Sequence, residues 1–397
     1  MIDHKLDCWN YHSNGVKTIV FVVTEDCQLA CKYCYLVGKN SHNKLTLETA
    51  KRTIDYILDN HVFFNEDKVA FDFIGGEPFL EIELIDAICD YVKQQMFLKR
   101  HPWFDNYVFT ISTNGINYNS EKVQNFIRKN NKHLQICITI DGTKDKHDLN
   151  RIYKNTGEGS YDDIVRNIPL WLSQFPNANT KVTLSSEDLP YVYDSVLHLF
   201  DLGIHRVYMN CVYEDVWQDG DDLILEEQLI KLADTIIENE LYLDFYCSIF
   251  DDQIGKPRTD NHNWCGSGKM LAVDSKGNFY PCNRFLGFSL REKTPRYIGN
   301  IDTGIDTNKV RPFILLNADT QSTQECIKCE VATGCSWCQG ENYDAADTDT
   351  IYKRSTAICK MHKARVRANN YYWNKLFVHI QNGGKEITNS SNEIQIC

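Results

Sequence analysis

The chain has no apolar run approaching the ~20 residues that a membrane-spanning helix needs. Its start, Met1-Ile2-Asp3-His4-Lys5, leads into polar residues rather than an apolar core, so no secretory signal is expected. Positive charge is not in excess either. A formal net charge of −12 argues against a general affinity for nucleic-acid phosphate or anionic lipid, and most of that charge reads as solubility. Low-complexity sequence is confined to Gly383–Asn392, a tail expected to be mobile. Cysteine is the residue in surplus, with sixteen copies in 397 residues. Without a secretory signal the expected compartment is a reducing cytoplasm, where cysteines serve as metal ligands or free thiols rather than disulfides.

A hydrophobic fraction of 43% is ample for one large α/β domain plus a smaller one. From Lys17 to Met209, short apolar runs alternate with longer helical patterns and no hairpin signals intervene. The strand candidates are 17–24, 69–74, 107–112, 134–140, 181–184 and 206–211. Leu47, Ala50, Ile54, Ile57 and Leu58 keep one helical face apolar behind Thr46 as N-cap. Six such repeats predict a parallel sheet, either open and doubly wound or a partial barrel, with its chemistry at the carboxyl ends of the strands. Asp222–Asn239 reads as an amphipathic helix closing this domain. Beyond Phe250 periodicity fades and seven cysteines fall between Trp264 and Lys360, so that region is expected to be held by what its cysteines bind. A basic, aromatic helix, Met361–Phe377, is expected to pack back on the body rather than bind nucleic acid.

The candidate chemistry begins directly after the first strand, at Cys27-x3-Cys31-x2-Cys34. Three thiolates on one loop suit a [4Fe–4S] cluster with one iron left open, whereas structural zinc wants four closed ligands. Gly75-Gly76-Glu77-Pro78 follows the second strand, where a glycine pair lets backbone approach a ligand, although such a pair is also an ordinary tight turn. Ser112-Thr113-Asn114-Gly115 follows the third strand and can hydrogen-bond a ribose. Ile140-Asp141-Gly142-Thr143 follows the fourth, with His147, Asp148 and Arg151 beyond. Arg151 can pair with a carboxylate through two hydrogen bonds, or be a plain surface residue.

Taken together, in this order and at these strand ends, the motifs resemble the radical S-adenosylmethionine (SAM) enzymes over residues 17–211. The resemblance implies a partial (β/α)6, TIM-like barrel. It places a cluster on Cys27, Cys31 and Cys34, whose free iron chelates the amine and carboxylate of SAM. Tyr33 would lie by the adenine, Gly75, Gly76 and Glu77 by the amine, Ser112 and Asn114 by the ribose, Asp141 in the same site, and Arg151 on the carboxylate. One electron from the cluster would cleave SAM to a 5′-deoxyadenosyl radical that takes a hydrogen atom from the substrate, the protein's task being positioning.

Cys265-x11-Gly277-x4-Cys282, then Cys326-x2-Cys329-x5-Cys335-x2-Cys338, then Cys359, are similar to the SPASM domain of radical SAM enzymes that modify peptides and proteins. By that resemblance Cys326, Cys329, Cys335 and Cys359 hold an outer auxiliary [4Fe–4S] cluster, and Cys265, Cys282 and Cys338 an inner one, three clusters in all. The last pair is closer than the usual pattern, which leaves the assignment of Cys338 open. A fourth ligand to the inner cluster is also missing where relatives carry it, so Cys247 reaches in, or His262 does, or one iron is open. The open iron, able to hold a substrate thiolate, is the favoured reading. The implied divisions are a short extension at 1–16, the barrel with its closing helix at 17–250, the auxiliary-cluster domain at 251–360, and helix plus tail at 361–397.

For the substrate, two readings compete. Formylglycine formation by the anaerobic sulfatase-maturating enzymes uses an acidic residue beside a cluster cysteine, but Cys282 is followed by Asn283 and Arg284, and Asp274 lies upstream. The stretches 72–81, 263–270 and 335–340 look closer to the maturases of Cys-x-x-x repeat peptides. That resemblance implies thioether crosslinks in a ribosomally made, Cys-rich precursor, with an electron donor such as flavodoxin or ferredoxin. Only 26 residues precede Cys27, too few for a fused leader-binding domain, so leader recognition is expected elsewhere on the chain or on a separate protein. Carbon–carbon crosslinking, epimerisation and a non-catalytic iron–sulfur carrier are the other classes. Cys137 and Cys211 read as ordinary buried thiols, and Cys8, Cys89 and Cys397 have no assigned role.

Overall fold

The computed structural model describes residues 15–39, 41–251, 254, 265–332, 335 and 337–386. Cys8, Cys397, His262, residues 1–14 and the far end of the tail lie outside the described residues.

Strand β1 (Val16–Thr24) is the centre of the fold, and it is buried along nearly its whole length because a strand flanks it on either side. β2 (Lys68–Gly75), β3 (Tyr107–Thr113) and β4 (Leu134–Ile138) extend the sheet in parallel on one side, and each βα crossover carries its helix to the outer face. Helix Leu47–Asp59 starts at Thr46, whose side chain accepts from the Thr49 amide and turns Ala50, Ile54, Ile57 and Leu58 into the core.

Register separates the two faces of this sheet. Phe21, Phe73, Ile111 and Ile136 stand side by side against the outer helices. The adjacent rows, Val20–Asp72–Thr110–Gln135 and Ile74–Ser112–Cys137, face the concave side, where Ser112 is exposed although it sits mid-sheet. A sheet with a polar, accessible concave face encloses a lumen, and this is the partial barrel.

β5 (Asn179–Leu184), β6 (Arg206–Cys211) and β7 (Tyr246–Cys247) form a second parallel sheet. β4 ends two residues before the expected 134–140 because side chains replace ladder bonds at this seam. Thr180 Oγ1 donates to the Ile138 carbonyl at 2.8 Å and accepts from the Ile140 amide at 3.1 Å, and Asp141 Oδ1 accepts from the Thr183 amide.

The cysteine-rich region does not stand apart. β8 (Leu271–Val273) pairs in parallel with β1, and β9 (Asn278–Tyr280), β10 (Gly299–Asn300) and β11 (Gly304–Ile305) continue the sheet antiparallel. The eight-stranded order β11-β10-β9-β8-β1-β2-β3-β4 therefore runs across the division expected at residue 250. Asp274 builds the β8–β9 turn by accepting from the amides of Lys276 and Asn278 and from the Tyr280 hydroxyl, and Gly277 takes φ +76° there.

Helix Cys359–Gln381 packs along helix Asp221–Glu238. Its basic side chains meet acidic partners, Arg367 with Glu226 and Lys375 with Asp234 and Glu238. That helix is thus a packing element, as its sequence suggested. Among the described residues no helix is long and apolar enough to cross a membrane.

Candidate active site

The loop after β1 carries Cys27, buried, and Cys31 and Cys34, half-buried. Backbone bonds clamp it to the segment after helix Lys144–Asn150: Ala30 and Lys32 donate to the carbonyls of Ile152 and Asn150, and Lys154 donates to that of Gln28. Asp26 Oδ1 accepts from the Cys27 amide and from Lys154.

The glycine pair meets this loop directly. A Cβ on Gly75 would lie 2.3 Å from the Thr24 carbonyl oxygen, and one on Gly76 would lie 2.1 Å from that of Asp26. The amides of Gly76 and Glu77 donate to those same two oxygens. The close approach read from the sequence is therefore made first to the cysteine loop's own backbone. Glu77 is fully buried, and its carboxylate accepts from the Phe79 amide, the Thr113 hydroxyl and the Asn114 amide. It ties the ends of β2 and β3 together, and its oxygens are occupied in doing so. Asn114 in turn donates to Gln28, and its Nδ2 stands 4.0 Å from Cys27 Sγ. Ser112 faces the lumen with its hydroxyl accessible.

Arg151 and Asp141 complete this wall. Arg151 donates from Nη1 to the Tyr33 hydroxyl at 3.0 Å, and Tyr33 donates to Asp141 Oδ2. Burial opposes the ionisation of Asp141, but Lys146, Arg151 and His147 outweigh it and hold the carboxyl below its ordinary range. The Tyr33 hydroxyl thus positions Arg151 whatever its ring packs against. Arg151 is 7% exposed, and its Nε is buried without a hydrogen-bond partner. An orphaned guanidinium N–H beside a three-thiol loop fits an anionic group such as the carboxylate of SAM. Arg151→Lys removes the fork while keeping the charge, so SAM should bind the reconstituted protein about tenfold to a hundredfold more weakly in equilibrium dialysis.

The C-terminal cysteines fall into two groups. Cys338 lies close enough to act on the Cys265 thiol, and both act on Cys282, while burial pushes the Cys265 thiol up to about 12. Cys335 is likewise surrounded by Cys359, Cys326 and Cys329. The resemblance assigns these two sets to the inner and outer auxiliary clusters. Among the described residues no three His, Cys, Asp or Glu converge as around a single metal ion. A cubane takes one thiolate on each corner and gathers them less tightly than one zinc atom would. Arg354 Nη2 donates to Cys335 Sγ at 3.0 Å, a bond of the kind that tunes cluster potentials. Cys247, the nearest cysteine upstream of Cys265, lies on β7 with its thiol on Met209 Sδ at 3.4 Å.

Between the two halves opens a cavity of about 490 Å³, lined by Tyr33, Cys34, Tyr35, Val212, Glu214 and Arg291 among others. Asn283 Nδ2 donates to the Tyr35 hydroxyl, and Arg284 lies over the Tyr35 ring and bonds Glu214 and Glu341. The position after Cys282 therefore presents an amide and a neutralised cation, with no free carboxylate.

Several residues of this lumen escaped the sequence reading. Cys137 is half-buried on the concave face, beside Lys181 of β5, and so is not an ordinary core thiol. Lys181 also feels Asp141, Arg284 and Cys338. Asp72 lies on the same face of β2. The available signal was a charged residue inside an apolar strand, as in Val-Ala-Phe-Asp-Phe-Ile and Thr-Lys-Val-Thr-Leu.

Residues 21–185 match the Radical SAM superfamily. By this match residues 21–185 carry a radical SAM domain, and enzymes of that superfamily use SAM and a [4Fe–4S] cluster. The chain is 27% identical over 303 residues to an uncharacterized protein of Methanocaldococcus jannaschii, covering 75% of this chain and 92% of the relative. It is 24% identical over 345 residues to the serine-type anaerobic sulfatase-maturating enzyme of Bacteroides thetaiotaomicron, 78% and 79% of the two chains. Its fold is that of native anSMEcpe with bound AdoMet and Cp18Cys peptide, with a TM-score of 0.70, 19% identity, and coverage of 92% of this chain and 99% of the other.

Proposed function

We propose that this enzyme matures a ribosomally synthesised, Cys-rich precursor peptide by joining a cysteine sulfur to a carbon of another residue. The observation that carries the reading is the inner group of three thiols, Cys265, Cys282 and Cys338, facing the barrel with Asn283 and Arg284 where a formylglycine-forming enzyme needs a carboxylate. Asp274, the nearest acidic residue before Cys282, is committed to the β8–β9 turn. Cys247 places its thiol on Met209 Sδ, which supports the reading in which the inner cluster takes a thiol from the substrate.

In this reading Cys27, Cys31 and Cys34 hold the SAM-binding [4Fe–4S] cluster. Cys265, Cys282 and Cys338 hold the inner auxiliary cluster, and Cys326, Cys329, Cys335 and Cys359 the outer one. Bound at the first cluster, and given through it one electron from flavodoxin or ferredoxin, SAM would supply a carbon radical able to remove a hydrogen atom from an unactivated carbon. The chain's own residues position and exclude. Arg151 takes the SAM carboxylate, and Gly75 and Gly76, with Glu77 bracing them, bring backbone to the amine. Ser112 and Asn114 flank the ribose. The cavity under Tyr35 admits the peptide.

A second reading, conversion of a cysteine or serine to formylglycine, is favoured by the sulfatase-maturating relative and by the Cys-peptide complex that shares this fold. Product mass separates the two. Incubation with SAM, dithionite and a synthetic peptide of Cys-x-x-x repeats is expected to remove two hydrogens and consume one thiol. Loss of sulfur, with an aldehyde that hydrazide reagents capture, would replace the thioether reading with formylglycine formation.

A further inference from the structure

Among the described residues, the buried and half-buried carboxylates at the mouth of the barrel are held by donors, with one exception. Glu77 accepts three hydrogen bonds, and Asp141 is bonded by Tyr33 and the Thr183 amide. Asp26 is paired with Lys154, Glu214 with Arg284, Asp344 with Arg291, and Glu341 with both arginines. Asp188 lies between Lys146, Asn150 and Ser185, and Glu187 pairs with Lys32 at the surface.

Asp72 is different. It is the only carboxylate in the two concave rows of β1–β4, and the Thr110 hydroxyl donates to its Oδ1 at 2.7 Å. Oδ2 has no donor among the described residues and is not sealed from the lumen. The residues whose charge meets Asp72 are Tyr35, from the first cysteine loop, and Cys137, across the sheet on β4. One step behind Tyr35 stand Asn283 and Arg284, next to Cys282. Asp72 therefore faces the space enclosed by the first cysteine loop and the inner thiol group.

We propose that Asp72 is the general base for the peptide substrate, accepting on Oδ2 the proton of the cysteine thiol that reacts. This rests on the peptide-maturase reading. In the step the S–H bond breaks with its electron pair remaining on sulfur, the O–H bond forms on Asp72, and no electron changes hands. Burial, opposed by the Thr110 bond, pushes the Asp72 carboxyl up to about 6, which narrows the gap to the ordinary thiol value of about 8.5. The strand itself explains the cost: a lone carboxylate between Phe71 and Phe73 is kept although an apolar residue would pack there.

The test uses the reconstituted full chain, Asp72→Asn and Asp72→Glu. An asparagine side-chain oxygen still accepts from Thr110, so the fold is preserved. Two probes are used, the Cys-x-x-x repeat peptide and a single-cysteine sulfatase-type peptide, because either reaction must dispose of the thiol proton. Asp72→Asn is expected to form 5′-deoxyadenosine near the wild-type rate while product formation falls about 100-fold or more, with partial recovery in Asp72→Glu. Product at the wild-type rate from Asp72→Asn overturns the proposal. If wild type modifies neither peptide, the maturase reading fails by itself, and isotope-edited infrared spectra still decide for Asp72. A carboxylate band that grows between pH 5 and 7 and is lost in Asp72→Asn supports a base, and a carboxyl that stays protonated through pH 9 rules one out.

Discussion

Cys282→Ala should leave SAM cleavage close to wild type and abolish the crosslinked product. Cys282 sits at the end of β9 and its thiol meets Cys265 and Cys338, while Cys27, Cys31 and Cys34 lie on the separate loop after β1. Removing one of three inner thiols leaves two, too few to hold a cluster, yet nothing in the clamp between the first loop and residues 150–154 changes. The assay counts 5′-deoxyadenosine and crosslinked peptide in the same tube. Coupled loss of both would mean that the inner group supports the first site structurally, and undiminished crosslinking would remove the inner group from the chemistry.

Gly76→Ala is expected to do the reverse, eliminating SAM cleavage with the C-terminal cysteines untouched. Its Cβ would stand 2.1 Å from the Asp26 carbonyl oxygen and 2.4 Å from the carbon bearing it, and both are backbone atoms that no rotamer change can move aside. The Glu77 amide donates to that same carbonyl at 2.8 Å, so relieving the clash breaks the bond that seats the loop. Cys27 follows Asp26 directly, and its Cβ lies 3.0 Å from the same added methyl. Iron analysis of the reconstituted variant should show about four atoms fewer per chain than wild type. Full iron content with normal SAM cleavage would show that the loop can shift without cost.

Much of this arrangement was legible beforehand, for identifiable reasons. The strands were read to within two residues because β1–β4 are buried on their outer faces and nearly continuous in apolar content. The exception at β4 arises from Thr180 and Asp141, whose side chains take over ladder bonds, and a local apolar pattern carries no sign of such substitutions. The division at residue 250 followed a real change in texture, but strand pairing is long-range, and nothing local announces that Leu271–Val273 docks on β1. The assignment of the C-terminal cysteines to two clusters rests on the resemblance to the SPASM pattern rather than on spacing. The roles of Glu77 and Tyr33 as braces were invisible because they depend on Thr113, Asn114, Asp141 and Arg151 arriving from other strand ends. Asp72 was missed: a carboxylate between two phenylalanines is an oddity in the strand pattern, but only the register with Thr110 turns it toward the lumen.

The central claim is that this chain holds three iron–sulfur clusters on ten cysteines. Iron and acid-labile sulfide per chain, after anaerobic reconstitution of wild type and of the Cys27→Ala/Cys31→Ala/Cys34→Ala variant, test it most directly. The account predicts about twelve iron atoms in wild type and about eight in the variant, four per cluster. About four iron atoms accompanied by zinc would contradict it, because the two C-terminal thiol groups would then be structural and the thiol-binding inner site would not exist.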